Sequence, residues 1–290
     1  MKDRVERRAV ADWLTLIDYS TQQSDSINRR QEGTGLWLLN STEFQEWVNH
    51  SKKTLFCPGI PGAGKTIMSS IVVDHLNTNF ENDAGVGIAY IYCSYQSQQK
   101  QEPEDLLMSL LKQLTQRRPS VPENVKSLYK HHKDKQTRPS FNEIVKTLHS
   151  TIQLYSRVFI IIDALDEYHV SNNEGLNRLL SEVFSLQDQT EVNLFATSRS
   201  ISEITSQFDG CICKEIRAQD DDILRYVNGR IPKLLRSHIS KYPQVQDTIR
   251  SDILRAVDGM YVHTSVSIES LAKLTCNSGS FLLSCIWIPS

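Results

Sequence analysis

Eight consecutive residues, Gly59-Ile60-Pro61-Gly62-Ala63-Gly64-Lys65-Thr66, satisfy the pattern G-x-x-x-x-G-K-[ST] and hold three of the chain's twelve glycines. Glycines tolerate positive φ and let successive backbone N–H groups approach phosphate oxygens, while a helix opening after the loop points its positive end at the same anion. Lys65 then supplies a cation for the β- and γ-phosphates, and the Thr66 hydroxyl a ligand for Mg²⁺. A chance match in a chain of this length has a probability of roughly one in a hundred.

A second group of reactive side chains lies in VFIIIDALDE, where Asp163 ends an apolar run and Asp166 and Glu167 follow it. Carboxylates bunched at the end of a buried strand repel one another unless a cation joins them. Asp163 is suited to holding Mg²⁺, and Asp166 or Glu167 to orienting or deprotonating a water. Thr197-Ser198-Arg199 leaves a further apolar run, VNLFAT, and could bring Arg199 to a γ-phosphate. No [NT]-K-x-D sequence occurs, so adenine is expected over guanine.

These residues need a scaffold that gathers strand ends. Leu55–Cys57, Gly87–Cys93, Val158–Ile162 and Val192–Thr197 are apolar throughout, which suits strands covered on both faces. Helical spacing separates them: 68, 72, 76 and 80; 107, 110, 111 and 114; 145, 148 and 152; 176, 179, 180 and 183. Strands alternating with helices imply parallel crossovers, and the expected fold is a three-layer α/β P-loop NTPase with a mainly parallel sheet. Asp220-Asp221-Asp222 reads as a helix start, followed by a second helical face at Ile249, Ile253 and Val257. The expected organisation is a lead-in over 1–50, the NTPase core over 51–217, a helical satellite over 218–274 and an atypical tail over 275–290.

With 32 Lys+Arg against 34 Asp+Glu, the net charge of −2 gives no global attraction to nucleic acid or to anionic membranes. Eight basic and two acidic residues fall between Lys112 and Arg138, but Tyr129 is their only aromatic neighbour, so a solvated helical face is expected there. Arg117-Arg118 is the only nearby candidate for the paired lid arginines of a P-loop kinase. The apolar run Phe281 to Ile288 is far shorter than the ~20 residues of a membrane span. MKDRVERRAV carries no signal-peptide core, so a cytoplasmic protein is expected. Six scattered cysteines without a C-x-x-C pair or histidines at zinc spacing indicate buried thiols, with no disulfide framework and no structural metal.

Taken in order, GIPGAGKT, FIIIDALDE and ATSR resemble the NACHT group of signal-transduction NTPases, in particular the fungal branch with a nephrocystin-3-like N-terminal region. RRQEGTGLWLLNSTEFQEW and AVDGMYVHTSVSIESL are similar to that branch as well, which extends the resemblance over residues 8 to 274. The resemblance implies an ATP/ADP switch that oligomerises when a C-terminal sensor detects a ligand. In it Lys65 and Thr66 bind phosphate and Mg²⁺, Asp163 holds Mg²⁺, Asp166 and Glu167 serve hydrolysis, and Arg199 senses the γ-phosphate. After Leu274 the family's further helices and winged-helix lid give way to TCNSGSFLLSCIWIPS. The alternative expectation is therefore a sensorless fragment that binds nucleotide or full-length relatives without turnover.

Overall fold

The structure, a computed structural model, describes residues 2–95, 102–168 and 174–234. Along the chain run α1 (Lys2–Leu14), α2 (Ser20–Arg29), α3 (Leu36–Leu39), α4 (Thr42–Asn49), β1 (Thr54–Pro58), α5 (Lys65–Asn79), β2 (Val86–Tyr92), α6 (Pro103–Arg117), α7 (Glu123–Lys135), α8 (Phe141–Ile152), β3 (Arg157–Asp163), α9 (Glu174–Gln189), β4 (Val192–Ser198), α10 (Ser202–Thr205), β5 (Ile212–Cys213) and α11 (Asp220–Leu234). Short 3₁₀ turns lie at Leu165–Glu167 and Ser206–Phe208. All strand pairs are parallel and the sheet order is β2-β3-β4-β1-β5, a three-layer α/β arrangement.

The alternation of side chains along each strand divides the core into two layers. Ile160, Ile162, Leu194 and Ala196 join one cluster with Leu107, Leu110 and Leu111 of α6, Leu148 of α8 and Leu179, Leu180 and Val183 of α9. Phe159 and Phe195 point the other way and meet the Trp47 ring of α4 at centroid distances of 5.2 and 5.8 Å. Trp47 is fully buried and donates its indole N–H to Leu194 O at 2.9 Å, so α4 is bonded to the sheet as well as packed on it.

Local chemistry fixes where the covering helices begin. Ser140 and Glu143 form a reciprocal capping box at the start of α8, Pro103 occupies the first turn of α6 beside Glu104 and Asp105, and the Ser41 hydroxyl accepts from Phe44 N–H at 3.2 Å to open α4. Sequence periodicity did not single out α1 and α2 because both are predominantly polar. Val10 and Leu14 of α1 are nonetheless buried, and Arg7 donates to the carbonyls of Gln116, Arg118 and Pro119 at the end of α6. β5 was not expected either, because two residues carry no periodic signal.

The chain divides into two compact units. Among the described residues, one comprises those within 1–30, 35–60 and 65–216; the other comprises 31–34, 61–64 and 217–234. Within the second, α11 begins at the three acidic residues Asp220 to Asp222, and Arg225 donates to Gly33 O at 3.2 Å. The expected helical face at 249, 253 and 257, and the tail after Leu274, lie outside the described residues.

Candidate functional site

The sheet order decides which strand ends meet. β4 lies between β1 and β3, with Cys57 opposite Thr197 and Ile162 opposite Ala196, so Thr197 stands between the chain entering the phosphate loop and the end of β3. Asp163 ends β3 at 1% exposure. Its Oδ2 accepts from Thr66 Oγ1 at 2.7 Å, and its Oδ1 from Ser69 Oγ at 2.6 Å and Thr197 Oγ1 at 2.8 Å. Burial pushes the Asp163 carboxyl above the ordinary aspartate range, while these three hydroxyl donors and the Lys65 ammonium pull it down. The next residue, Ala164, has φ 56° and ψ 53° and donates its N–H to Thr197 Oγ1 at 2.9 Å. This left-handed step turns the chain sharply into Leu165–Glu167; a small side chain suits it because Ala164 is itself buried.

The loop preceding α5 shows why its glycines are needed. A Cβ on Gly59 would lie 2.5 Å from Ile216 O, a backbone atom that cannot yield. Gly62 and Gly64 adopt φ of 77° and 88°. Lys65, at the first position of α5, turns its ammonium onto Gly59 O at 2.8 Å and Ile60 O at 3.0 Å. Burial lowers the Lys65 pKa, and the charges of Asp166, Asp163 and Glu167 oppose that shift. Pro61 and Ala63 complete the motif, and Ala63 is fully buried.

Asp166 and Arg199, to which the sequence assigned separate tasks, are bonded to each other. Asp166 Oδ2 accepts from Arg199 Nε at 2.6 Å and Oδ1 from Arg199 N–H at 2.8 Å. Tyr95 completes the group: its hydroxyl accepts from Arg199 Nη2 at 2.9 Å and donates to Asp166 O at 2.8 Å. Glu167 is half-buried, and its carboxyl is raised first by burial and then by the negative charge of Asp166.

The donor set fits a Mg²⁺ ion. One buried carboxylate and a threonine hydroxyl in direct contact are the hard oxygens that Mg²⁺ selects, and Ser198 Oγ is buried without a hydrogen-bond partner at the end of β4. Thr66 and Asp163 are the side chains that would hold it. Sequence reasoning missed Ser69 and Tyr95. Ser69 was legible in principle, since it lies three residues after Thr66 on the same helical face; Tyr95, beyond the end of β2, carried no signal.

Two other expectations meet their geometry here. Arg117 is spent on Val86 O, Phe80 O and Asn77 Oδ1, and Arg118 on Ala84 O and the Tyr155 ring, so this pair caps backbone and does not form the arginine lid of a kinase. Cys57 and Cys93 are buried with thiols pushed up by burial; Cys211 is partly buried and Cys213 exposed.

A parallel sheet whose β1 feeds a glycine-rich loop, with the next helix opened by Lys65-Thr66 and a buried aspartate ending a nearby strand, is the fold of the P-loop NTPases. The chain belongs to the nephrocystin 3 N-terminal family, whose model matches residues 33–199. Among solved structures it is similar to the Walker-type ATPase PABY2304 of Pyrococcus abyssi, at 14% identity and a TM-score of 0.52 over 84% of this chain and 69% of that one. It is also similar to a DNA replication initiation factor, at 15% identity and a TM-score of 0.45 over 84% of this chain and 61% of that one. A third is the replication initiator DnaA bound to AMPPCP and single-stranded DNA, at 15% identity and a TM-score of 0.43 over 88% and 65%. The chain thus spans less than two thirds of the length of these two initiators. No curated protein matches it. Among the described residues no helix is long and apolar enough to cross a membrane.

Proposed function

We propose that the chain is a nucleotide-dependent switch that binds Mg-ATP or Mg-ADP through residues 59–66 and hydrolyses ATP slowly, as a NACHT-type signalling NTPase. The observation that carries this reading is the contact of Thr66 Oγ1 with Asp163 Oδ2 at 2.7 Å, which joins the end of the phosphate-loop motif to the acid at the end of β3. Mg²⁺, when bound, would neutralise charge on the β- and γ-phosphates. Lys65 would release the carbonyls of Gly59 and Ile60 and donate to phosphate oxygens instead. Glu167, whose raised carboxyl brings it nearer the working pH, would accept a proton from the attacking water. Asp166, already bonded to Arg199, would position that guanidinium toward the γ-phosphate. Oligomerisation and an association with full-length relatives belong to the same reading.

Calorimetric titration of the chain with Mg-ATP and Mg-ADP tests it. Lys65→Ala should abolish binding, because backbone dipoles alone do not replace a full charge against the phosphates. Equal affinity in wild type and variant would refute the assignment. Single-turnover measurement with the wild type separates a slow ATPase from a binder without turnover.

A further inference from the structure

At the junction of α7 and α8, well apart in sequence from the phosphate loop, His131, His132 and Glu143 each offer a ligand atom within 4.8 Å of the others. We propose that these three residues form a binding site for a zinc-class divalent cation.

The arrangement has the features of a built site. His132 is 5% exposed, and its ring is fixed on both sides: Nδ1 lies 2.8 Å from Thr137 Oγ1, and the Trp13 ring is stacked on it at a centroid distance of 6.4 Å. A ligating imidazole takes this kind of support on its second nitrogen. The remaining nitrogen, Nε2, faces Glu143 Oε1 at 3.3 Å. That separation is long for a charge-assisted hydrogen bond, yet it matches the edge of a tetrahedral shell, since ligand atoms ~2.0–2.1 Å from zinc stand about 3.3–3.4 Å apart. Glu143 is oriented too. Its Oε2 accepts from Ser140 N–H at 2.8 Å and Ser140 O–H at 2.6 Å, which turns Oε1 toward the histidines.

The third ligand supplies access. The His131 ring stands 4.9 Å from that of His132 at 77°, and the residue is solvent-exposed, so an ion can enter from that side and keep a water. His131 Nε2 accepts from the Lys135 ammonium at 3.3 Å, an exposed side chain on a flexible stem that an incoming ion displaces. Two imidazoles and one carboxylate favour Zn²⁺, Cu²⁺ or Ni²⁺ over Mg²⁺ or Ca²⁺. A bound ion would tie the last turn of α7 to the first turn of α8, across residues 136–140.

The test uses the chelator-stripped full chain, Zn²⁺ in competition with a chromophoric chelator, and Co²⁺ as a spectroscopic probe. His131→Gln is the variant of choice because His131 is exposed and its loss leaves the core intact, whereas removal of His132 would disturb Trp13 and Thr137. The expected result is one Zn²⁺ per chain, weakened at least about tenfold in His131→Gln, the lower end of what even supporting residues contribute. Co²⁺ should give d–d bands without a thiolate charge-transfer band, and Zn²⁺ should raise the melting temperature of the wild type more than that of the variant. Equal Zn²⁺ affinity in the two proteins, a thiolate band marking the cysteines as ligands, or no uptake of Zn²⁺ would each overturn the proposal.

Discussion

The fully buried end of β3 sets the chemistry at residue scale. Because burial raises the Asp163 carboxyl, the ionised form is less favoured in the folded chain than in the unfolded one, and the wild type loses stability as pH rises from the ordinary aspartate value through the raised one. Asp163→Asn removes that cost, and can keep Oδ1 against Ser69 and Thr197 while its amide faces Thr66 Oγ1 as a donor. The variant should therefore gain on the order of 1 kcal/mol without nucleotide, about 2–4 °C in melting temperature, while losing Mg²⁺-dependent nucleotide binding. Scanning calorimetry and titration check the two halves; a melting temperature well below wild type would show that the charge itself holds the hydroxyls in place. Glu167 gives a second expectation. In its proposed role of general base, a raised carboxyl must be ionised to act, so turnover should rise with pH through a limb lying above the ordinary glutamate range. Glu167→Gln should reduce turnover ~10²–10⁴-fold with nucleotide affinity retained. An acid limb at or below the value of a free glutamate would assign the base elsewhere.

Among the elements, α4 shows how much of the sheet's second layer depends on a segment that looks like a lead-in. Trp47 packs on Phe44, Phe159 and Phe195 and bonds to Leu194 O, so Trp47→Ala removes a large side chain and breaks the bond that ties α4 to β4. Such a change costs about 3–5 kcal/mol, and urea unfolding should show it as a lower midpoint with a similar slope. A loss below about 1 kcal/mol would mean that α4 is not a structural part of the sheet layer.

For the whole molecule, the family match begins at residue 33 and ends at 199, but the compact unit that holds Lys65, Thr66 and Asp163 begins earlier and ends later. A chain cut to 33–199 would lose α1, whose Val10 and Leu14 are buried in the main cluster, and β5, which pairs with β1 at Leu55 and Phe56. It would also lose Ile216, whose N–H donates to Pro58 O at 2.7 Å beside the start of the phosphate loop. That shortened chain should melt at least several degrees below residues 1–216 and bind nucleotide more weakly. Differential scanning fluorimetry of the two lengths decides this, and equal melting temperatures would show that the matched segment carries the full stability of the unit.

The sequence by itself determined the phosphate loop, the four long strands and the helices between them, because each leaves a local mark: glycines at fixed spacing before Lys65-Thr66, unbroken apolar runs, and a 3.6-residue period. It also named Asp163, since an acid directly after five apolar β-formers has nowhere to stand except a strand end. Tertiary structure decided what depends on pairing across the chain. The order β3-β4-β1 put Thr197 beside Asp163, a relation that no spacing encodes because it follows from which strands become neighbours. The pairing of Asp166 with Arg199, 33 residues apart, likewise depends on two strand ends meeting. Helix α1 escaped sequence reasoning because its polar surface hides a short apolar edge whose partner, α6, lies about a hundred residues away, and α2 because the residues it buries, Gln23 and Ser26, are themselves polar. His131, His132 and Glu143 passed unnoticed for the same reason: their grouping needs a helix, a turn and a capped second helix to fold back on one another, and sequence periodicity reports one element at a time.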